Sequence, residues 1–337
     1  MRLSVFGLLP ALRRRILRSV NDRISRRSSA TLDAGRTPSY IVVTPHLVHL
    51  APLAASNHSA GIQPVFVANG IGRADMEWLA EMRPDVPVIS LRASLRGDSA
   101  SLLEHGVVIN HLASGSHDAF CVQDADCFVT DSEFWSTMRL DPDTDYAVGP
   151  FLRQGEGERP DFPETFLICL NRKLMDQYAR EFGITAEPSG RPRRRARRFL
   201  SEAGYPEGKY LETLKDYYDT LQQFWVAARK HGFGYRHVAG EGETVHHVGG
   251  TSYLHRSFEN LDHWDYWPLN VHYFHLRLLE LPRCAQFRER FRGLIEFHGS
   301  STSLLAAFPA YATGWRRQES DLIIARTNAA ALFGSQV

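Results

Sequence analysis

The sequence predicts an α/β domain whose central sheet is mainly parallel, flanked by helices and followed by a helical C-terminal extension. Three observations carry this. Short β-branched runs (SYIVVTP, PVFVANG, VPVISLR) alternate with helical stretches, no hairpin signal joins them, and from about His275 the chain reads helical to its end. Ligands of such sheets bind beyond the carboxyl ends of the strands, so chemistry-bearing residues are sought there.

In order along the chain, residues 1–36 read as a basic amphipathic helix and a polar linker. Leu12, Ile16, Val20 and Ile24 share one stripe, with Arg14, Arg15 and Arg18 turned away. Two readings stand side by side: a helix lying on anionic lipid, and a helix packing its stripe on the main body. A folded half spans 37–150. It starts with the strand near Ser39, continues through a helix expected over HLVHLAPLAASNHSAG, and ends its β-α alternation with the strand HDAFCVQ. The strand DYAVGPFLR crosses into a second half, 151–275, which holds the strand ETFLICLNR, the arginine run RPRRRARR, a long helix LETLKDYYDTLQQFWVAARKHG, and the strands FGYRHV and ETVHHV. The extension covers 276–337.

A length of 337 residues with 43% hydrophobic side chains allows a sizeable core, and a net charge of +1 names no partner. The cysteines Cys121, Cys127, Cys169 and Cys284 form no C-x-x-C pair and no zinc spacing, so reduced thiols and a cytoplasmic location are expected. The first residues begin like a signal peptide, but arginines follow a short apolar run and no cleavage site appears. No apolar run is long enough to span a bilayer. A peripheral position on the inner face of the membrane fits the basic helix.

The strand AFCVQ ends in Asp124 and Asp126. Two carboxylates at i and i+2 on a turn supply hard oxygen ligands for Mn²⁺ or Mg²⁺, ions that usually arrive with a diphosphate. A bare D-x-D is more often a helix cap beside a solvated acid.

The stretch NHLASGSHDAFCVQDAD resembles the segment preceding the D-x-D of GT-A glycosyltransferases of the family-two type. That resemblance covers roughly Ser39 to Ser252 and implies the GT-A fold, a divalent cation, a UDP- or GDP-linked sugar donor, and a glycan or lipid-linked acceptor. It places Asn110 at the family's asparagine, and Thr44, Pro45 and His46 of VVTPH at the contact with base and ribose. Asn69 of VANG stands where an aspartate commonly holds the base. VHHVGGTS is similar to the family's late H-x-G-G-x-S stretch, which implies His247, with His246 as alternate, at the metal, and Gly249 and Gly250 against the phosphates. Asp219, or Asp216 one turn earlier, falls nearest the family's catalytic base, although the usual acidic dipeptide is missing.

The arginines of RPRRRARR, Arg191 to Arg198, read either as a solvated insertion or as a grip on an anionic acceptor; taken with the basic first helix, a membrane surface explains both, and nucleic acid is not expected. The rings of HWDYWPLNVHYFH are expected mostly in the core. The implied function is a transferase, of the kind used in bacterial-type surface polysaccharide assembly. Its rivals are a catalytically silent membrane-surface protein and a sugar-phosphate nucleotidylyltransferase, the latter disfavoured because no glycine-rich, lysine-containing loop follows the first strand.

Overall fold

β-branched runs without polar interruption become strands here because both of their faces are covered. The structure, a computed structural model, describes residues 5–93, 102–153, 161–188, 194–204, 220–248 and 267–334. Its strands are β1 (Thr37–Val43), β2 (Ile62–Asn69), β3 (Val88–Leu91), β4 (Ala119–Asp124), β5 (Cys127–Val129), β6 (Asp145–Gly149), β7 (Leu152–Arg153), β8 (Phe162–Pro163), β9 (Leu167–Asn171), β10 (Gly234–His237) and β11 (Val245–His247). The main sheet runs β10-β6-β9-β4-β1-β2-β3, and all its pairings are parallel except those of β9 with β4 and β6. The mainly parallel sheet expected from the alternation is thus present. Two antiparallel ribbons, β5-β11 and β7-β8, stand apart from it.

The helices are α1 (Val5–Ser29), α2 (Ala51–Ala54), α3 (Arg73–Met82), α4 (His105–Leu112), α5 (Arg172–Phe182), α6 (Arg194–Glu202), α7 (Gln222–Lys230), α8 (Trp267–Leu279), α9 (Arg292–His298), α10 (Ser301–Ala307), α11 (Pro309–Ala312), α12 (Trp315–Arg326) and α13 (Ala329–Phe333). On β1 the two-residue period sends Tyr40 and Val42 to one face and Ile41 and Val43 to the other. The first face is covered by α4, α5, α6 and α7 through Val108, Met175, Phe199 and Phe224. The opposite face is covered by α2, α3 and the C-terminal helices, with Phe274, Phe287, Leu304 and Ile323 in the same apolar cluster as Ile41. The extension therefore forms one wall of the core and is already helical from Trp267. Tyr273 and Phe274 are buried, as expected for that aromatic segment; Trp264 and Tyr266 lie outside the described residues.

One sequence expectation needs correction. The helix expected over residues 46–61 is a turn followed by the single-turn helix α2, because Pro52 falls near its start and Asn57 takes a left-handed conformation at φ 57°. The first helix divides its aliphatic stripe: Ile24 packs against the apolar cluster of the body, whereas Leu12 and Ile16 are exposed, and Arg18 stands away from the stripe, as expected. Among its described side chains Asn21, Ser25 and Ser29 are buried, and Arg18 pairs with Glu187 at 2.6 Å. The long helix expected to begin at LETLK is described only from Gln222. All four cysteines are buried and free.

Candidate active site

Strand register assembles the carboxyl edge of the sheet. Val42 lies opposite Asp124, Val43 opposite Ala68, and Asn69 opposite Leu91, so Thr44, Asn69 and Asp124 emerge together. Asp124 is the last residue of β4, Ala125 and Asp126 make a turn, and β5 follows. The turn is pinned from beneath by buried Gln123, whose amide donates to the carbonyls of Cys127 at 2.8 Å and Ala54 at 3.0 Å. A polar side chain inside the strand run is thus explained: it closes the turn that displays the aspartates.

β11 pairs with β5 so that His247 faces Cys127, and Val248 donates its backbone N–H to the Asp126 carbonyl at 3.0 Å. His247 Nε2 consequently lies 3.5 Å from Asp126 Oδ1. Asp124, Asp126 and His247 each offer a ligand atom, and these atoms lie within 4.8 Å of one another. Phe166 stacks on the His247 ring with centroids 3.7 Å apart, fixing its plane. Adjacent strand residues face opposite ways, and His246 is indeed turned to the C-terminal wall, 2.8 Å from Glu319. His246 is therefore removed as an alternate ligand; Gly249 and Gly250 lie outside the described residues.

Burial pushes the Asp124 carboxyl up to about 6, with His105 and His247 pulling it down and Asp126 adding to the rise. Burial also works against a charged His247, but Asp126, Asp124 and Glu164 outweigh it and raise its pKa. Two crowded carboxylates with a shifted pKa beside an imidazole form a donor set that a divalent cation would relieve of its repulsion. The residues present fit Mn²⁺ or Mg²⁺, since hard oxygens predominate.

Sequence reasoning missed His105. Its Nδ1 is 3.4 Å from Asp124 Oδ1, while its Nε2 is buried without a partner. His105 opens α4, and the next residue, Gly106, packs directly on the backbone of residues 186–187. A Cβ there would stand 2.7 Å from Glu187 Cα and closer still to the Ala186 carbonyl. Gly106→Ala should therefore displace the start of α4. An overpacking cost of about 3 kcal/mol exceeds the roughly 1 kcal/mol gained in helix propensity, and thermal unfolding should register a net loss of about 2 kcal/mol. An unchanged melting temperature would show that residues 186–187 yield freely.

Two asparagines expected at the nucleotide are engaged by neighbouring segments of the protein. Asn69 donates to the Leu103 carbonyl at 2.9 Å and accepts from the Leu103 N–H at 2.8 Å, closing its amide on one residue. Asn110 accepts from Ala186 N at 2.9 Å and donates to Glu187 at 3.0 Å, on the side of α4 that meets α1. Thr44, Pro45 and His46 are half-buried on the rim. The Pro45 carbonyl accepts from Arg290, which also pairs with Asp75 at 3.0 Å. Asp216 and Asp219 lie outside the described residues.

No protein-family model matches the chain, and no curated protein matches it. Solved structures similar to it include the glycosyltransferase GlyE from Streptococcus pneumoniae, at 10% identity and a TM-score of 0.40 over 90% of this chain and 66% of that one. In its apo form, GlyE matches over 59% of this chain and 44% of its own, with 11% identity and a TM-score of 0.36. An active-site mutant of LgtC matches at 12% identity and a TM-score of 0.31, over 44% of this chain and 65% of that one. A 4-diphosphocytidyl-2C-methyl-D-erythritol synthase from Anaerococcus prevotii matches at 8% identity and a TM-score of 0.37, over 63% of this chain and 92% of that one. At such identities and TM-scores these likenesses decide neither fold nor chemistry, which rest on the strand order and side chains described above.

Proposed function

We propose that this chain is a metal-dependent glycosyltransferase that moves a sugar from a UDP- or GDP-linked donor to a glycan or lipid-linked acceptor. The observation that carries the reading is the convergence of Asp124, Asp126 and His247 on one point at the carboxyl edge of a mainly parallel sheet. Asp124, Asp126 and His247 would hold a divalent cation. When bound, such a cation supplies Lewis-acid stabilisation of the negative charge that grows on the departing diphosphate.

The chain's own residues do the rest. Phe166 holds the plane of His247, Gln123 fixes the turn that carries Asp126, and Thr44, Pro45 and His46 form the rim next to Asp124 where the nucleoside would lie. Proton removal from the acceptor hydroxyl is assigned to Asp219, with Asp216 as the alternate, on the family resemblance alone. Gly249 and Gly250 are assigned to the phosphates on the same ground.

Calorimetric titration of UDP and GDP, each with and without Mn²⁺, tests the proposal. Binding that requires the cation and distinguishes the two nucleotides is expected. If neither nucleotide binds with the metal present, the carboxylate cluster is not a diphosphate site and the proposal falls.

A further inference from the structure

The first helix is amphipathic the wrong way round for a packed helix. Its docked face is polar. Asn21 donates to the Arg92 carbonyl at 2.8 Å and accepts from Arg92 N at 2.9 Å, and Asp22 meets His111 at 2.7 Å. Ser29 Oγ lies 2.9 Å from Ser116 Oγ and from His117 Nδ1. The amino-terminal part of the aliphatic stripe faces solvent instead, with Leu12 55% and Ile16 43% exposed and Val20 half-buried, while Ile24 at its far end packs against the core. Buried polar contacts fix the helix's rotation, so the stripe cannot roll inward without orphaning them.

Exposed arginines surround that stripe: Arg13, Arg15, Arg23, Arg26 and Arg27. More basic side chains, Arg194 and Arg195 among them, stand exposed on α6, which is tied to α5 by the Arg195 donation to the Arg180 carbonyl. Helix α5 in turn shares a cavity of about 220 Å³ with α1, lined by Arg18, Asp22, Asp176 and Ala179 among others. Among the described residues no helix is long and apolar enough to cross a membrane.

Direction matters as much as composition. Ser29 sits at the amino end of β4 and Asn21 at the carboxyl end of β3, two strands that run the same way. At about 1.5 Å per residue, Leu12 and Ile16 lie beyond the carboxyl edge, the edge on which Asp124 ends its strand.

We infer that the N-terminal half of α1 docks on an anionic lipid surface. The aliphatic stripe enters the acyl boundary, the flanking arginines meet the head groups, and the carboxyl edge of the sheet is turned toward the bilayer. Charge complementarity selects this occupant, since an aliphatic strip ringed by cations suits negatively charged lipid better than an equally cationic second copy.

Co-sedimentation of the full chain with phosphatidylcholine vesicles, with and without phosphatidylglycerol, tests the inference. Binding is expected only with phosphatidylglycerol, weakened by salt, and about tenfold or more weaker in Leu12→Gln/Ile16→Gln. Thermal unfolding of that variant should match the parent, because both side chains are exposed. No binding to anionic vesicles, or equal binding by parent and variant, overturns the inference. So does a parent that self-associates in lipid-free buffer through the same stripe, which would make it an interface between copies. Nucleotide titration without vesicles is independent of these outcomes, so the two proposals fail separately.

Discussion

Asp124→Asn should make the metal-free protein more stable and the transfer reaction about a thousandfold slower. The two effects share one cause. Burial lifts the Asp124 carboxyl from 3.8 to about 6, so its ionised form is disfavoured in the folded chain. A raised folded-state pKa in an acid means that stability is greatest while the group is protonated and falls as pH rises from about 4 through 6. At pH 7 the penalty is about 2–3 kcal/mol. An amide carries no such penalty, but it is a poor ligand for a hard cation. Chemical denaturation at pH 7 in a chelator should show the gain, and initial rates with Mn²⁺ should show the loss. A variant that keeps parental activity would remove Asp124 from the metal site. His246→Ala and His247→Ala sharpen the test: only the second should weaken Mn²⁺ binding, whereas the first should lower stability by leaving Glu319 without its partner.

Acid should unfold the protein at mild pH, because its C-terminal wall is built on neutral histidines. His49 lies 2.8 Å from His275 and His272 lies 3.0 Å from His298, all four buried. Burial pulls His49 and His272 down to about 3 and His298 to about 4, with neighbouring cations or imidazoles adding to the first two. Burial also holds His275 well below the ordinary imidazole value, so it stays neutral. A lowered histidine pKa gives stability that is complete above about 6.5 and is lost as pH falls toward the folded-state value. At pH 5 the cost is about 2 kcal/mol per ring, or about 6 kcal/mol for His49, His272 and His298 together. Asp124 recovers only about 1 kcal/mol over the same interval, so the histidines decide the sign. A loss of that size is comparable with the whole stability of many domains, about 5–15 kcal/mol. Urea midpoints at pH 7.5 and pH 5.0 would reveal it, and equal midpoints would contradict it. Replacing His49 by Gln should flatten the dependence in proportion.

Much of this architecture was legible because the information is local. β1 to β4 announce themselves as short apolar runs, and the two aspartates stand out by interrupting one of them. Residues that act over long distances were not legible. Asn69 and Asn110 look like ligand-facing amides at strand and helix positions, yet Leu103, Ala186 and Glu187 claim them through contacts that no local pattern encodes. His105 carries no signal of its own, since its reach to Asp124 depends on Gly106 seating α4 against a loop some eighty residues later. Periodicity located the stripe on α1 but left open which side it faces, because periodicity does not weigh polar groups that must be satisfied on burial.

The ribbon β5-β11 gives the cluster a history as well as a shape. Two of its members are neighbours in the chain, while the third arrives from on the order of a hundred residues away, on a strand outside the main sheet. Nothing local can complete the trio during synthesis; the chain must first close that long loop and lay β11 against β5. Cation binding by this trio, which the proposed function requires, would therefore depend on β11 having docked on β5, and a refolding experiment that follows Mn²⁺ uptake would time that docking.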